Sequence, residues 1–508
     1  MLFSSWPFVA VFLPITWVVY KFLQQYATRE VTLLWLVAAS LFFYGWFKPI
    51  YLLIVLISMS FNYALGMMLA KKQWKPRKRK TLLVFGLAAN LAALFYYKYT
   101  GLFFHTLNAA GGNFSIPDII LPLGISFFTF QKVAWLVDSY RRETHEPNFL
   151  HYALFITFFP QLIAGPIVHH KEVIPQFLKK PTAAAVRRLL AMGLTVFIIG
   201  LFKKVGIADH MGEIADPIFD SAARGAPLTL VEAWLGAVSY TLQIYFDFSG
   251  YSDMAVGLAG LFGVRLPLNF FSPYKSVNII EFWRRWHITL SRFLRDYLYI
   301  PLGGNRKGGG RRYANLLVTM LLGGLWHGAN WTFVIWGGLH GIYLCINHAW
   351  QKFAPFTMPK PVSIAFTFLA VMAAWVFFRA DSAETALYVL WCMTGKFGIA
   401  LQDTGSWLAK AIGALGIDVQ DVGISRNLRI NEKWYILWIA LALAFFAPST
   451  HEIMRKKFAL DPGGVGRGQA PKRLQWKPTV KWAAGVAVMA GLSLLLLTKV
   501  NAFIYFQF

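Results

Sequence analysis

His327 stands in the run Leu321-Leu-Gly-Gly-Leu-Trp-His-Gly-Ala-Asn-Trp-Thr-Phe333, an ionisable ring among glycines, tryptophans and aliphatic residues. The run is long enough to enter a bilayer, and lipid cannot satisfy the hydrogen-bonding capacity of an imidazole. An ionisable side chain at that depth marks a functional site by default. Gly323, Gly324 and Gly328 let another backbone or a ligand come close. Imidazole is also the side chain best suited to take and return a proton near neutral pH.

One loop upstream lies Asn278-Ile-Ile-Glu-Phe-Trp-Arg-Arg-Trp-His-Ile-Thr-Leu-Ser-Arg-Phe-Leu-Arg-Asp-Tyr-Leu-Tyr299. Projected as one helix, it places Arg284, Arg285, Arg292 and Arg295 within a stripe about 100° wide, with His287 about 60° from Arg284. Two readings stay open. Such a stripe binds anionic lipid headgroups, or it grips the phosphates of a nucleotide-like donor. A third segment, Tyr245-Phe-Asp-Phe-Ser-Gly-Tyr-Ser-Asp253, sets Asp247 and Asp253 among serines and a glycine in an apolar region. There a structural role is expected, either breaking a helix or pairing with the arginines. His340 is read as packing or as a second polar pathway residue, and His169-His170 as a helix-end pair. No His-Glu-x-x-His, paired-cysteine, Gly-x-Ser-x-Gly or Walker pattern occurs, so no metal site is expected and serine hydrolase or ATPase chemistry is disfavoured.

The elements that must hold these residues are membrane helices. Of 508 residues, 57% are hydrophobic, 17% aromatic and only 14% charged, with mean hydropathy +0.50. No soluble core hides that much apolar surface. The expected fold is an all-α polytopic membrane protein of about 11–14 transmembrane helices, with re-entrant or broken helices around a central tunnel. The net charge of +26 comes from 49 Lys and Arg against 23 Asp and Glu. The basic residues cluster between apolar runs, which points to membrane lipids as partners and away from nucleic acid. If Lys71–Lys80 is cytoplasmic, the N-terminus and the near-neutral loop 100–117 lie outside and Arg141-Arg142 inside. The first apolar run reads as a retained span and not a cleaved signal. Asp461–Lys477 reads as a flexible basic loop, and nothing suggests a separate soluble domain. Cys345 and Cys392 offer no disulfide framework.

Five stretches together resemble the membrane-bound O-acyltransferase (MBOAT) family, and within it the membrane subunits of bacterial alginate O-acetylation. They are Leu121-Pro-Leu-Gly-Ile-Ser-Phe127, Phe159-Pro-Gln-Leu-Ile-Ala-Gly-Pro166, Tyr245 to Asp253, Glu281-Phe-Trp-Arg-Arg-Trp-His287 and Leu322-Gly-Gly-Leu-Trp-His-Gly-Ala-Asn-Trp331. The likeness runs through residues 1–350 and loosens over 360–508, within one integral membrane acyltransferase domain spanning 1–508. It implies that His327 is catalytic, deep in a tunnel, and that His287 holds the second polar position, which is His, Asn or Asp in different branches. Trp326, Asn330, Asp247 and Asp253 would line or support that tunnel. Gln161 departs from the alginate-type pattern, which often has His there.

The resemblance implies transfer of an acyl group, foremost acetyl, from a cytoplasmic acyl-CoA such as acetyl-CoA. No bound cofactor is expected. The acceptor would be an exported polysaccharide or an extracytoplasmic SGNH-like acetyltransferase partner, and the chain would lie in the bacterial inner membrane. His327 would act as general base, a role worth about 10²–10⁴-fold, with His287 steadying the oxyanion or orienting the base. The four arginines would hold the donor's phosphates. Two alternatives stand beside this: D-alanyl transfer from a carrier protein to a cell-envelope polymer, and a proton-coupled transporter or flippase. A non-enzymatic scaffold for polysaccharide export is a third.

Overall fold

A computed structural model describes the chain apart from residues 72, 145, 180–182, 307, 355, 397, 402–409, 411–412, 415–418, 422–433, 455–457, 462–469, 498–502 and 505–508. Residues 462–469 of the expected basic loop Asp461–Lys477 therefore lie outside the described residues.

The first half is built from α1 (Pro7–Tyr26), α2 (Arg29–Gly45), α3 (Ile50–Ala70), α4 (Pro76–Ala109), α5 (Ile125–Arg141), α6 (Phe149–Thr157) and α7 (His170–Leu178). The centre is α8 (Val186–Ala223) against α9 (Leu230–Leu261), a single 32-residue helix. Then come two short helices, α10 (Ile279–Arg285) and α11 (Ile288–Leu294). They lead into α12 (Gly309–His327), α13 (Trp331–Phe353), α14 (Lys360–Arg379) and α15 (Ala383–Cys392). α16 (Trp434–Phe445) and α17 (Val480–Leu496) close the chain. One minor departure from all-α is a parallel pairing of Ile399–Leu401 with Val419–Asp421.

Among the described residues, five helices are long and apolar enough to cross a membrane: α1, α3, α4, α8 and α14. The others are shorter or more polar; α9 and α13 are long and unbroken, whereas the segment after Asn278 divides into the short α10 and α11. α4 starts with Pro76 within the basic stretch Lys71–Lys80, where a missing N–H costs nothing. α9 starts with a reciprocal cap between Thr229 and Glu232. The Asp247–Asp253 segment does not break it.

Two of the resemblance-bearing motifs meet in space. Gly124 has φ +71, and a Cβ there would lie 3.3 Å from Ile163 Cα. Only glycine both adopts that backbone and leaves room for the Phe159–Pro166 segment. α12 and α13 cross as closely: a Cβ on Gly324 would lie 3.0 Å from Gly337 Cα. Close backbone approach at small residues is a usual way for membrane helices to pack. It fixes α12, and with it His327 at its end.

Candidate active site

His327 is the last residue of α12 and is buried. After it the backbone turns extended at Gly328 (φ −157, ψ 155). A helix leaves its last carbonyls without intrahelical partners, and here they end inside the protein. Tyr99 Oη donates to Leu325 O at 2.9 Å, and Lys98 Nζ donates to Trp326 O at 2.7 Å and His327 O at 3.0 Å. Both come from the π-helical turn Phe95–Tyr99 inside α4. A cation at a helix C-terminus also opposes its partial negative charge. Sequence reasoning does not single out Lys98. Its one signal is a lone lysine near the end of the apolar run 81–98, in Phe95-Tyr-Tyr-Lys-Tyr99.

A cavity of about 510 Å³ reaches His327. Lys98, Ser126, Phe127 and Trp326 line it near the histidine, and Tyr51 and Lys48 line it further out. Tyr51 lies at the start of α3 and Ser126 at the start of α5. The far ends of those helices meet elsewhere: Arg79, near the start of α4, donates to Leu69 O and Tyr140 O. The cavity therefore opens at the ends of α3 and α5 opposite the basic loop and Arg141.

Trp326 forms the inner wall. Its ring stacks on Phe130 at 4.9 Å and contacts both histidines, with centroids 4.9 Å from His327 and 6.3 Å from His287. His327 also packs edge-on to Trp336 (5.0 Å) and Phe378 (5.3 Å). His340 lies beyond Trp336 at 4.8 Å, fully buried, and neither ring nitrogen has a hydrogen-bond partner among the described residues.

The single helix projected over 278–299 is corrected. It breaks at Trp286 and His287, because the segment 269–271 captures its backbone. Phe271 N donates to Arg285 O and Ile288 N to Asn269 O, each at 2.9 Å. His287 takes φ 41, ψ 54, the left-handed region. Asn, Asp and His are the non-glycine residues enriched there. The occupancy of this position implied by the family resemblance thus has a backbone reason beside any chemical one.

The break also ends the continuous arginine stripe, and carboxylates occupy three of its four members. Arg285 pairs with Glu281 at 2.6 Å. Arg292 makes a bidentate pair with Glu172 at 2.6 and 2.9 Å, and Arg295 pairs with its neighbour Asp296 at 2.7 Å. Arg284 is exposed and has no side-chain partner among the described residues.

Asp247 and Asp253 pair with lysines of α8 and not with the arginines. Lys204 lies 2.7 Å from both Asp247 and Asp209. Lys203 lies 2.6 Å from Asp253, which also accepts from Thr450 Oγ1 at 2.6 Å. Asn330 caps α13 through Thr332 N at 3.0 Å and donates to Asp381 O at 2.8 Å, a supporting role. Gln161 is buried and donates to Phe155 O at 2.7 Å. Among the described residues, no group of three His, Cys, Asp or Glu side chains is placed to hold a metal ion.

The arrangement supplies a buried imidazole on a firmly held helix end, at the floor of a cavity, with a second imidazole across one indole. Comparison with known proteins gives the family. The family model described as MBOAT, membrane-bound O-acyltransferase family, matches residues 12–383. The chain is 47% identical to a peptidoglycan O-acetyltransferase of Helicobacter pylori, over 79% of this chain and 81% of that one. It is 42% identical to a probable alginate O-acetylase of Azotobacter vinelandii, over 76% of each chain. A teichoic acid D-alanyltransferase of Streptococcus thermophilus is 29% identical over 45% of this chain and 57% of that one. The transporter and scaffold readings give way: this chain is a multi-pass membrane O-acyltransferase and belongs to the membrane-bound O-acyltransferase family.

Proposed function

We propose that this chain transfers an acetyl group from acetyl-CoA, taken up at the cytoplasmic face of the inner membrane, to a cell-envelope glycan or to an extracytoplasmic acetyl-carrying partner protein. The observation that carries this reading is His327 at the floor of a cavity opening opposite the basic loop. With Lys71–Lys80 cytoplasmic, the N-terminus and the cavity mouth are extracytoplasmic. The donor then approaches from the side of Arg284 and the acceptor from the side of Tyr51.

His327 takes the proton of the attacking hydroxyl as its oxygen bonds to the thioester carbonyl carbon. Collapse of the tetrahedral intermediate breaks the C–S bond, and the imidazolium returns the proton to the leaving thiolate. CoA leaves as the free thiol. His287, across Trp326, steadies the oxyanion or orients His327.

Acetyl is favoured over D-alanyl because the O-acetylating relatives match more of the chain at higher identity. Purified protein in vesicles, given labelled acetyl-CoA or a D-alanyl carrier protein, tests the donor. Label from acetyl-CoA should appear on peptidoglycan fragments or on a co-reconstituted partner. Transfer from the carrier protein alone would overturn the reading.

A further inference from the structure

We infer that Lys98 is a positioning residue for His327, acting through the backbone of α12. Lys98 is 8% exposed and makes no ion pair among the described residues. Its ammonium has three N–H donors, and three acceptors surround it: Trp326 O, His327 O and Ser126 Oγ, at 2.7, 3.0 and 3.1 Å. Nothing is left over for a substrate without giving up one of these bonds, although Lys98 lines the cavity. The anionic partner of this buried cation is therefore the negative end of α12 itself.

The extended backbone at Gly328 departs from the left-handed turn by which a chain usually caps its own last carbonyls. Lys98 and Tyr99 supply that cap from α4, a helix far away in sequence, through charge-assisted and neutral hydrogen bonds. The imidazole of His327 is attached to the residue whose carbonyl Lys98 holds. Any drift of that carbonyl moves the base, and a misplacement of about 1 Å costs on the order of 10²-fold in rate. The lysine lies within the π-helical turn, where the widened backbone brings Lys98 and Tyr99 to one helix end together.

This inference rests on His327 being the base, and the test separates the two. Lys98→Met, Lys98→Arg, His327→Ala and the Lys98→Met/His327→Ala double variant are purified and assayed with labelled acetyl-CoA. Hydrogen exchange is followed over residues 321–333. Lys98→Met should lower kcat about 10²-fold, leave KM for acetyl-CoA within about twofold, and speed exchange at the end of α12. Lys98→Arg, which keeps the charge and N–H donors, should recover part of the loss. On the His327→Ala background Lys98→Met should cost nothing further.

Where Lys98→Met fails to accumulate, Lys98→Gln takes its place in every arm. Wild-type kcat with slow exchange, a raised KM at unchanged kcat, or an additive loss on the His327→Ala background would each overturn the positioning role. Retained activity in His327→Ala would instead overturn the assignment of the base, whatever Lys98 does.

Discussion

Asn269 Oδ1 lies 3.0 Å from His287 Nδ1, and the same oxygen accepts the backbone N–H of Thr289 at 3.3 Å and its hydroxyl at 2.9 Å. An oxygen that receives a backbone N–H can only accept, so His287 Nδ1 carries a proton and donates. That leaves the lone pair on Nε2, which has no hydrogen-bond partner among the described residues. The Asn269 amide is held in turn, its Nδ2 donating to Ser252 Oγ at 3.0 Å. One asparagine therefore fixes both the tautomer and the orientation of the second histidine.

Replacing Asn269 by Leu removes that hold while keeping the branched shape of the side chain. The ring is then free to rotate or to take the other tautomer, and kcat of the folded fraction should fall by about 10²-fold, while the stranded Thr289 N–H costs about 1–3 kcal/mol of stability. A steady-state assay with KM and kcat resolved checks this. Unchanged kcat would remove His287 from the reaction.

Arg292 belongs to the stripe expected to hold donor phosphates, yet its guanidinium is spent on Glu172. Burial raises the proton affinity of that carboxyl, but the hydrogen bonds and charge of Arg292 outweigh it and hold Glu172 below its ordinary range. A depressed carboxyl contributes stability that is present above its unfolded pKa and lost as pH falls through the folded one. Arg292→Ala should therefore lower thermal stability in detergent at pH 7, by about 1.5–3 kcal/mol for a partly buried pair joined by charge-assisted hydrogen bonds. The loss should shrink under acid. KM for acetyl-CoA should stay put. A large rise in KM with intact stability would show Arg292 gripping the donor.

Lys204 sits between Asp209 and Asp247 with 2% of its surface exposed. Lys204→Met strands two carboxylates together in the interior, and removing one partner of a buried pair costs about 3–5 kcal/mol. The expected result is a sharp drop in folded protein, seen by size-exclusion chromatography, with the surviving fraction turning over normally. Full abundance with lost turnover would give this lysine a part in the chemistry.

The buried place of His327 is legible in the sequence, because its ring stands inside an apolar, glycine-rich run. The structural role of Asp247 and Asp253 is legible too, but their partners are not. Lysines on α8 reach them, and such pairing is invisible to periodicity. The break at His287 is hidden for the same reason. Helical projection sees only neighbours along the chain, and the bonds that end α10 come from residues 269 and 271. Lys98 escapes notice because a lone lysine near the end of an apolar run reads as an interfacial residue snorkelling to the surface. Only tertiary contact with the end of α12 gives it a task.

The most direct test of His327 as the base is polymer-bound acetyl in cells carrying wild-type chain or His327→Ala, at matched membrane abundance. Acetylation should fall to the background of cells lacking the protein. Acetylation retained at wild-type level would contradict it.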